Sequence, residues 1–483
     1  MTSIPNWLKK RAHLTPDRIA LTVNQENITF SMLERLVSKR ARQLATLGVQ
    51  RHDYVGILMK NSIEMVITIH AIHYIGAVAV FFNNRLTERE ITWQTNDASV
   101  KFTIYDEHTA HLSHNLIAVS IKEIQTLEES DVEIMSEYHL NEVATVMYTS
   151  GTTGNPKGVL QTYGNHWWSA IGSVLNIGLQ EKDTWLCTVP LFHISGLSIL
   201  MRSIIYGIRV ILHPSFHPEK ANEAIINEGV SIVSVVSTML QQMIDGLGGK
   251  NYPSTFRCML LGGGPAPLSL LQKCQKKEID VFQTYGMTET ASQVVTLAPE
   301  YSVSKLGSAG KPLYPVEMRI LKDGKACNPF EEGEIVIKGP NVTIGYLNRP
   351  DATGEAIRDG WFYTGDIGYV DEEGFLYVLD RRKDLIVSGG ENVYPAEVEA
   401  ILVSHEYVED AGVIGRKDAK WGQVPVAFVV TSKQISELEL IAFCQKQLAK
   451  YKIPKEIRFV KNLPRNASKK LLRRKLQEWL DDE

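Results

Sequence analysis

From about Asp53 onward, wholly apolar runs alternate with stretches whose apolar positions recur every three or four residues. YVGILM is followed by SIEMVITIHAIHY, with Asn61 as a candidate helix cap, and then by AVAVFF. A short run without polar alternation reads as a strand covered on both faces, and the periodic stretch reads as a helix. The same succession returns in RVILHP (209–214), PEKANEAIINEG, SIVSVV (231–236), TMLQQMI and RCMLL (257–261). Strand–helix–strand order predicts parallel sheets with helices on both faces.

After about Gly310 the pattern changes to short strands with glycine-containing turns: MRILKDG, GEIVIKG and GWFYTGDIGYVDEEGFLYVLD. These predict an antiparallel β subdomain over about 310–382. Near Lys383 it changes again, to helix (PAEVEAILVS), strand (VPVAFVV), helix (ELELIAFCQKQLAK), strand (EIRFV) and a basic terminal helix. The expected fold class is therefore α/β. A large N-terminal domain, residues 1–382, has two parallel-type βαβ subdomains plus the antiparallel β subdomain, and a small α+β domain follows over 383–483. No repeat of 20 to 50 residues is visible, which excludes a solenoid or propeller.

Length and composition narrow the class. At 483 residues and 44% apolar the chain can bury a large core, which excludes a disordered or fibrous protein. Lys plus Arg at 51 against Asp plus Glu at 55 leave a net charge of −4 and no polybasic block, so nucleic acid is not an expected partner. Cys187, Cys258, Cys274, Cys327 and Cys444 are odd in number and widely spaced, and read as reduced thiols of a cytoplasmic protein. Met65–Phe82 is uncharged and nearly long enough for a bilayer, but it contains His70, His73 and Gly76 and reads as a buried helix entering a buried strand. The Lys/Arg-rich SKKLLRRKLQ reads as a solvated helix face rather than a membrane anchor. No membrane span is expected, and a homodimer is left open.

The most informative segment is YTSGTTGNPKG, Tyr148–Gly158, directly after the strand-like VATVM. Its glycines let the backbone curl so that amides and hydroxyls converge, a nest suited to polyphosphate. Ser150, Thr152 and Thr153 offer hydroxyl donors, and Lys157 a point charge for β- and γ-phosphates. It is not a Walker loop, because Gly158 rather than Ser or Thr follows Lys157.

YTSGTTGNPKG resembles the signature of the adenylate-forming superfamily of acyl- and aryl-CoA synthetases, luciferases and peptide-synthetase adenylation domains. LFHISG (191–196), YGMTE (285–289), YTGD (363–366), LDRRKDLIVSGGENVYPAEVE (379–399) and PRNASKK (464–470) recur in that family's order and span nearly the whole chain. The resemblance implies ATP, Mg²⁺ and CoA as cofactor and cosubstrates. Acid attacks the α-phosphate to give acyl-AMP, and the CoA thiol then displaces AMP. It also implies that the small C-terminal domain is mobile, with Lys383 at the hinge, and that Ser388, Gly389 and Gly390 admit pantetheine, with Trp421 either lining that path or packing.

By resemblance the nucleotide contacts are Thr149, Ser150, Gly151, Thr152, Thr153, Lys157, Gly264, Thr284, Tyr285 (adenine), Asp366 and Arg381 (ribose). The catalytic set is Lys470, His193, Thr288 (α-phosphate) and Glu289, which is also the Mg²⁺ ligand. Taken alone, Glu289 reads as a solvated turn residue, Arg381 equally as a surface ion pair, and His193 as a core histidine. Lys469 stands where the family usually has glycine and can share the charge role of Lys470. TYGNHWWSA, LLGGGPAPL and SGGENVYPAEVE bring the likeness nearest to aryl-acid:CoA ligases of menaquinone biosynthesis, so o-succinylbenzoate is the expected acid. The alternatives are another aryl or acyl acid and, in a different class, an inactive nucleotide-binding regulator. Donors for a second substrate carboxylate are sought among backbone amides, Ser195 and Arg202, the other reading of Arg202 being a side chain that snorkels to the surface.

Overall fold

The computed structural model describes residues 2–149, 156–263, 268–380, 385–393, 395–464, 471 and 473–481. It divides into two compact units: Met1–Asn84, Thr95–Met147 and Gly158–Leu379 form one, and Arg85–Gln94, Tyr148–Lys157 and Asp380–Glu483 the other.

In the first unit, a seven-stranded sheet carries Val143–Thr149, Val78–Phe81, Tyr54–Leu58, Thr103–Tyr105 and Ala118–Ser120 side by side and parallel. A fifteen-stranded sheet contains a second parallel block: Ile19–Val23, Arg209–Leu212, Thr184–Cys187, Ile232–Val236, Cys258–Gly262 and Val281–Met287, in that spatial order. At Val281–Met287 the pairing turns antiparallel, through Ser292–Leu297, Ser308–Pro312 and Leu376–Asp380. Trp361–Val370, Gly333–Lys338 and Glu317–Lys322 extend the same sheet. The expected α/β class, with two parallel blocks and an antiparallel one, is what the chain forms.

Apolar burial explains the parallel strands. Val78–Phe81 and Thr184–Cys187 are buried at every position, as strands covered on both faces must be. The uncharged stretch from Met65 is the helix Ile63–Ile75, buried from Met65 to Ile75, followed by the strand Val78–Phe81. Its cap is Ser62, not Asn61: the Ser62 hydroxyl accepts from the Met65 amide at 3.1 Å. Asn61 instead donates to the Val189 carbonyl (2.9 Å) and accepts from the Leu191 amide (2.9 Å), so its amide ties down a distant loop. Among the described residues no helix is long and apolar enough to cross a membrane. All five cysteines are free, four of them buried and Cys327 half-buried.

Three buried histidines make the first unit sensitive to acid. Burial drives His70 and His166 down to about 3 and His73 to about 4. In the unfolded chain each titrates near 6.5. A depressed histidine contributes its full stability above pH 6.5 and loses it as pH falls from 6.5 towards the folded value, because only the unfolded chain takes up the proton. Three such protons predict a slope of up to ~4 kcal/mol per pH unit near pH 5. The urea midpoint should therefore drop steeply between pH 7 and pH 5; a midpoint constant over that range would contradict the neutral state assigned to these rings.

The second unit has a five-stranded sheet of Glu391–Val393, Ile386–Ser388, Gly422–Thr431, Val408–Asp418 and Glu456–Phe459. The last pairs parallel with Gly422–Thr431, and the other pairings are antiparallel. The helices Pro395–Val403 and Glu437–Gln445 bury Val398, Leu402 and Leu440 with Val413, Ala427 and Val429 of the sheet. The basic terminal helix Arg473–Asp481 is less solvated than its charges suggest. Leu476 is fully buried, and Arg473 donates to both carboxylate oxygens of Glu399, at 2.6 and 2.7 Å.

Candidate active site

Three motifs stand where parallel strands of the large sheet end. LFHISG follows Thr184–Cys187, Gly262 and Gly263 close Cys258–Gly262, and YGMTE closes Val281–Met287. Carboxyl ends of parallel strands are where open α/β sheets bind ligands. The phosphate loop likewise follows a parallel strand, Val143–Thr149, in the other sheet. Of the expected site residues, Ser150, Gly151, Thr152, Thr153, Gly264, Arg381 and Lys470 lie outside the described residues, as does Lys383 at the expected hinge. Thr149 and Lys157 flank the loop.

The turn Thr288–Thr290 is held through its backbone. The Thr288 carbonyl accepts from Gln161 Nε2 (2.8 Å), the Glu289 carbonyl from the Thr343 amide (2.7 Å) and the Thr290 carbonyl from Asn341 Nδ2 (3.0 Å). Gly286 precedes this turn because a Cβ there would lie 2.2 Å from the Ser292 carbonyl oxygen. With the backbone so occupied, two side-chain groups are left over. Among the described residues the half-buried Thr288 makes no side-chain hydrogen bond, and Glu289 binds only through Oε1, which accepts from the Tyr346 hydroxyl at 3.1 Å. Glu289 is 5% exposed, not the solvated turn residue it resembles in isolation.

One hydroxyl and one carboxylate oxygen are thus uncommitted among the described residues, on a turn pinned at three carbonyls. The described residues contain no cluster of three or more His, Cys, Asp or Glu able to hold a metal by themselves. That donor set fits Mg²⁺ arriving with a polyphosphate, which needs only one or two protein carboxylates.

Tyr285 and Asp366 meet directly: the Tyr285 hydroxyl donates to Asp366 Oδ2 at 2.7 Å, and both residues are buried. The Asp366 amide donates to Thr364 Oγ1 (3.0 Å), which itself donates to the Ile335 carbonyl (2.7 Å). The carboxylate is thus oriented from two strands. Thr284 Oγ1 donates to the Leu261 carbonyl at 3.2 Å, tying the two glycine-bearing strand ends together.

His193 stands at the N-cap of Ile194–Tyr206 without a capping bond, its ring 4.7 Å from that of Phe192. Arg202 on the same helix is 1% exposed, which overturns the surface-snorkelling reading. Its Nη2 donates to Ser169 Oγ at 3.3 Å and its guanidinium lies 5.5 Å from the Trp185 ring, while Nε has no partner and no ion pair forms among the described residues. Burial lowers its pKa. Ser195 is exposed. In the second unit, Gly389 (φ +59°) packs so closely on Trp421 that a Cβ would come within 2.7 Å of its ring.

Gln161, Asn341, Thr343 and Tyr346 escaped the sequence reading. Each is remote in sequence from YGMTE, and a polar residue inside an apolar strand, Gln161 in GVLQT, was the one available signal.

The chain matches the AMP-binding enzyme family over residues 8–347 and the AMP-binding enzyme C-terminal domain over residues 397–470. It is 61% identical over 482 residues to the 2-succinylbenzoate–CoA ligase of Geobacillus sp. (strain WCH70), covering 99% of this chain and 98% of the relative. To the enzyme of that name from Bacillus anthracis (strain A0248) it is 53% identical, with both chains fully covered. A double mutant of Bacillus subtilis o-succinylbenzoate CoA synthetase, solved with its product analogue OSB-NCoA, superposes with a TM-score of 0.95 at 48% identity, covering 99% of each chain. The same enzyme with the acyl-adenylate intermediate OSB-AMP gives 0.78 at 48% identity, again over 99% of each.

Proposed function

Because the chain belongs to the AMP-binding enzyme family, we propose that it ligates o-succinylbenzoate to coenzyme A at the expense of ATP, through an enzyme-bound acyl-adenylate. The observation that carries this reading is the end-to-end identity with 2-succinylbenzoate–CoA ligases, 61% over 482 residues. The thioester product places the enzyme in menaquinone biosynthesis, and cytoplasmic location and homodimerisation belong to the same proposal.

The chemistry sets two anions against each other, so charge neutralisation and alignment dominate the barrier. Mg²⁺, when bound, offsets phosphate charge. Glu289 Oε2 would hold it. Thr288 Oγ1 donates to the α-phosphate, Lys157 and the hydroxyls of Ser150, Thr152 and Thr153 take the outer phosphates, and Asp366 with Arg381 accepts and donates at the ribose. Thr149, Gly151, Gly264, Thr284 and Tyr285 complete the nucleotide contacts. The acid's carboxylate attacks the α-phosphorus and pyrophosphate leaves, with Lys470 supplying positive charge and His193 orienting the carboxylate. The CoA thiol then attacks the acyl carbon and AMP departs.

Incubation with o-succinylbenzoate, ATP, Mg²⁺ and CoA should yield the CoA thioester and AMP by mass spectrometry. Formation of ADP, or no thioester, would overturn the proposal.

A further inference from the structure

The buried polar groups behind Thr288 form a chain whose direction can be derived. The Thr288 carbonyl can only accept, so the Gln161 group 2.8 Å from it is the NH₂. Gln161 Oε1 therefore faces Thr145 Oγ1 at 2.8 Å and accepts its hydroxyl proton. With that proton spent, Thr145 Oγ1 must accept from His166 Nε2 at 2.8 Å. His166 is thus the Nε2–H tautomer, and every bond points the same way, from His166 through Thr145 and Gln161 to Thr288. Gln161 and Thr145 are 0% exposed and His166 is 2% exposed, so water does not compete for these bonds.

Thr145 sits on Val143–Thr149 and Gln161 on Lys157–Thr162, the strands immediately before and after the phosphate loop. We infer that Gln161 is a positioning residue for adenylation: aligned by Thr145 and His166, it fixes the Thr288 backbone so that the Thr288 hydroxyl stands ready for the α-phosphate. The inference rests on the ligase reading and adds residues to it. Gln161 touches no substrate and acts through Thr288.

The test is ATP–pyrophosphate exchange driven by o-succinylbenzoate, with the urea midpoint of each ligand-free variant measured alongside. Gln161→Leu should lower kcat at least tenfold with KM for the acid within about twofold. Thr145→Val, which can neither donate nor accept, should behave likewise, while Thr145→Ser, which keeps both functions, should stay near wild type. Gln161→Glu supplies a signature that a loss of packing cannot. Protonated, its carboxyl donates to the Thr288 carbonyl; ionised, it repels it. Burial raises such a carboxyl's pKa, so the variant's rate relative to wild type should climb as pH is lowered from 9 to 6, whereas the Gln161→Leu ratio stays flat.

The inference is overturned if Gln161→Leu keeps kcat within twofold of wild type, if Thr145→Ser falls as far as Thr145→Val, or if the Gln161→Glu ratio does not change with pH. Absence of exchange in the unmodified protein would instead strike at the ligase reading, so the two failures are distinguishable.

Discussion

Replacing Lys470 with alanine should abolish acyl-adenylate formation while leaving thioester formation from supplied acyl-AMP largely intact. Adenylation brings a carboxylate to a phosphorus already surrounded by negative oxygens, and a lysine bridging the two neutralises charge that develops only in that step. Losing one preorganised donor of this kind costs about 3–4 kcal/mol, or 10²- to 10³-fold in rate. The second step needs no such bridge, because a thiol attacks a carbonyl and the leaving group is AMP. Single-turnover rates with ATP and acid, and separately with acyl-AMP and CoA, would measure both. Equal losses in the two steps would show that Lys470 serves the fold or general substrate binding. A residual adenylation rate well above the expected loss would point to Lys469 as a partial substitute.

Lys452→Met should be among the most destabilising single substitutions in the second unit. The Lys452 amine lies 2.7 Å from Glu397 and 2.8 Å from Glu90, and its side chain is only 5% exposed. Burial alone would lower its pKa; the carboxylates of Glu397 and Glu90 outweigh that and raise it, so the amine stays charged. Removing the cation leaves two carboxylates facing each other in a site with little water, a loss of about 3–5 kcal/mol. The midpoint of urea unfolding should fall accordingly. Neutralising the survivors, with Glu90→Gln and Glu397→Gln added to Lys452→Met, should recover much of it. A Lys452→Met midpoint equal to wild type would mean that the cluster is hydrated and contributes little.

Much of the architecture was legible because parallel strands buried on both faces must be apolar throughout. That is why Val78–Phe81, Arg209–Leu212 and Ile232–Val236 stand out in the sequence. The YGMTE and YTGD motifs stand out for another reason: their characteristic residues are consecutive in the chain. What holds them was hidden. Gln161 and Tyr346 are 127 and 57 residues from their partners in the Thr288–Glu289 turn. Each reads in isolation as an ordinary strand residue.

The helix cap at Asn61 failed because Asn and Ser cap equally well and stand next to each other. Only the tertiary demand at Val189 and Leu191 decides between them. Arg202 failed as a snorkelling side chain because its helix is enclosed over nearly its whole length, leaving the guanidinium no route to water. That no ion pair reaches it among the described residues is a property of the assembled fold that no single segment records.

The most direct measurement is ATP–pyrophosphate exchange over a panel of acids: o-succinylbenzoate, benzoate, other aryl acids and long-chain fatty acids. Exchange should be rapid with o-succinylbenzoate and slow with the monocarboxylic acids. Exchange with none of them would contradict catalysis by this chain, and exchange confined to benzoate or fatty acids would contradict the assigned substrate.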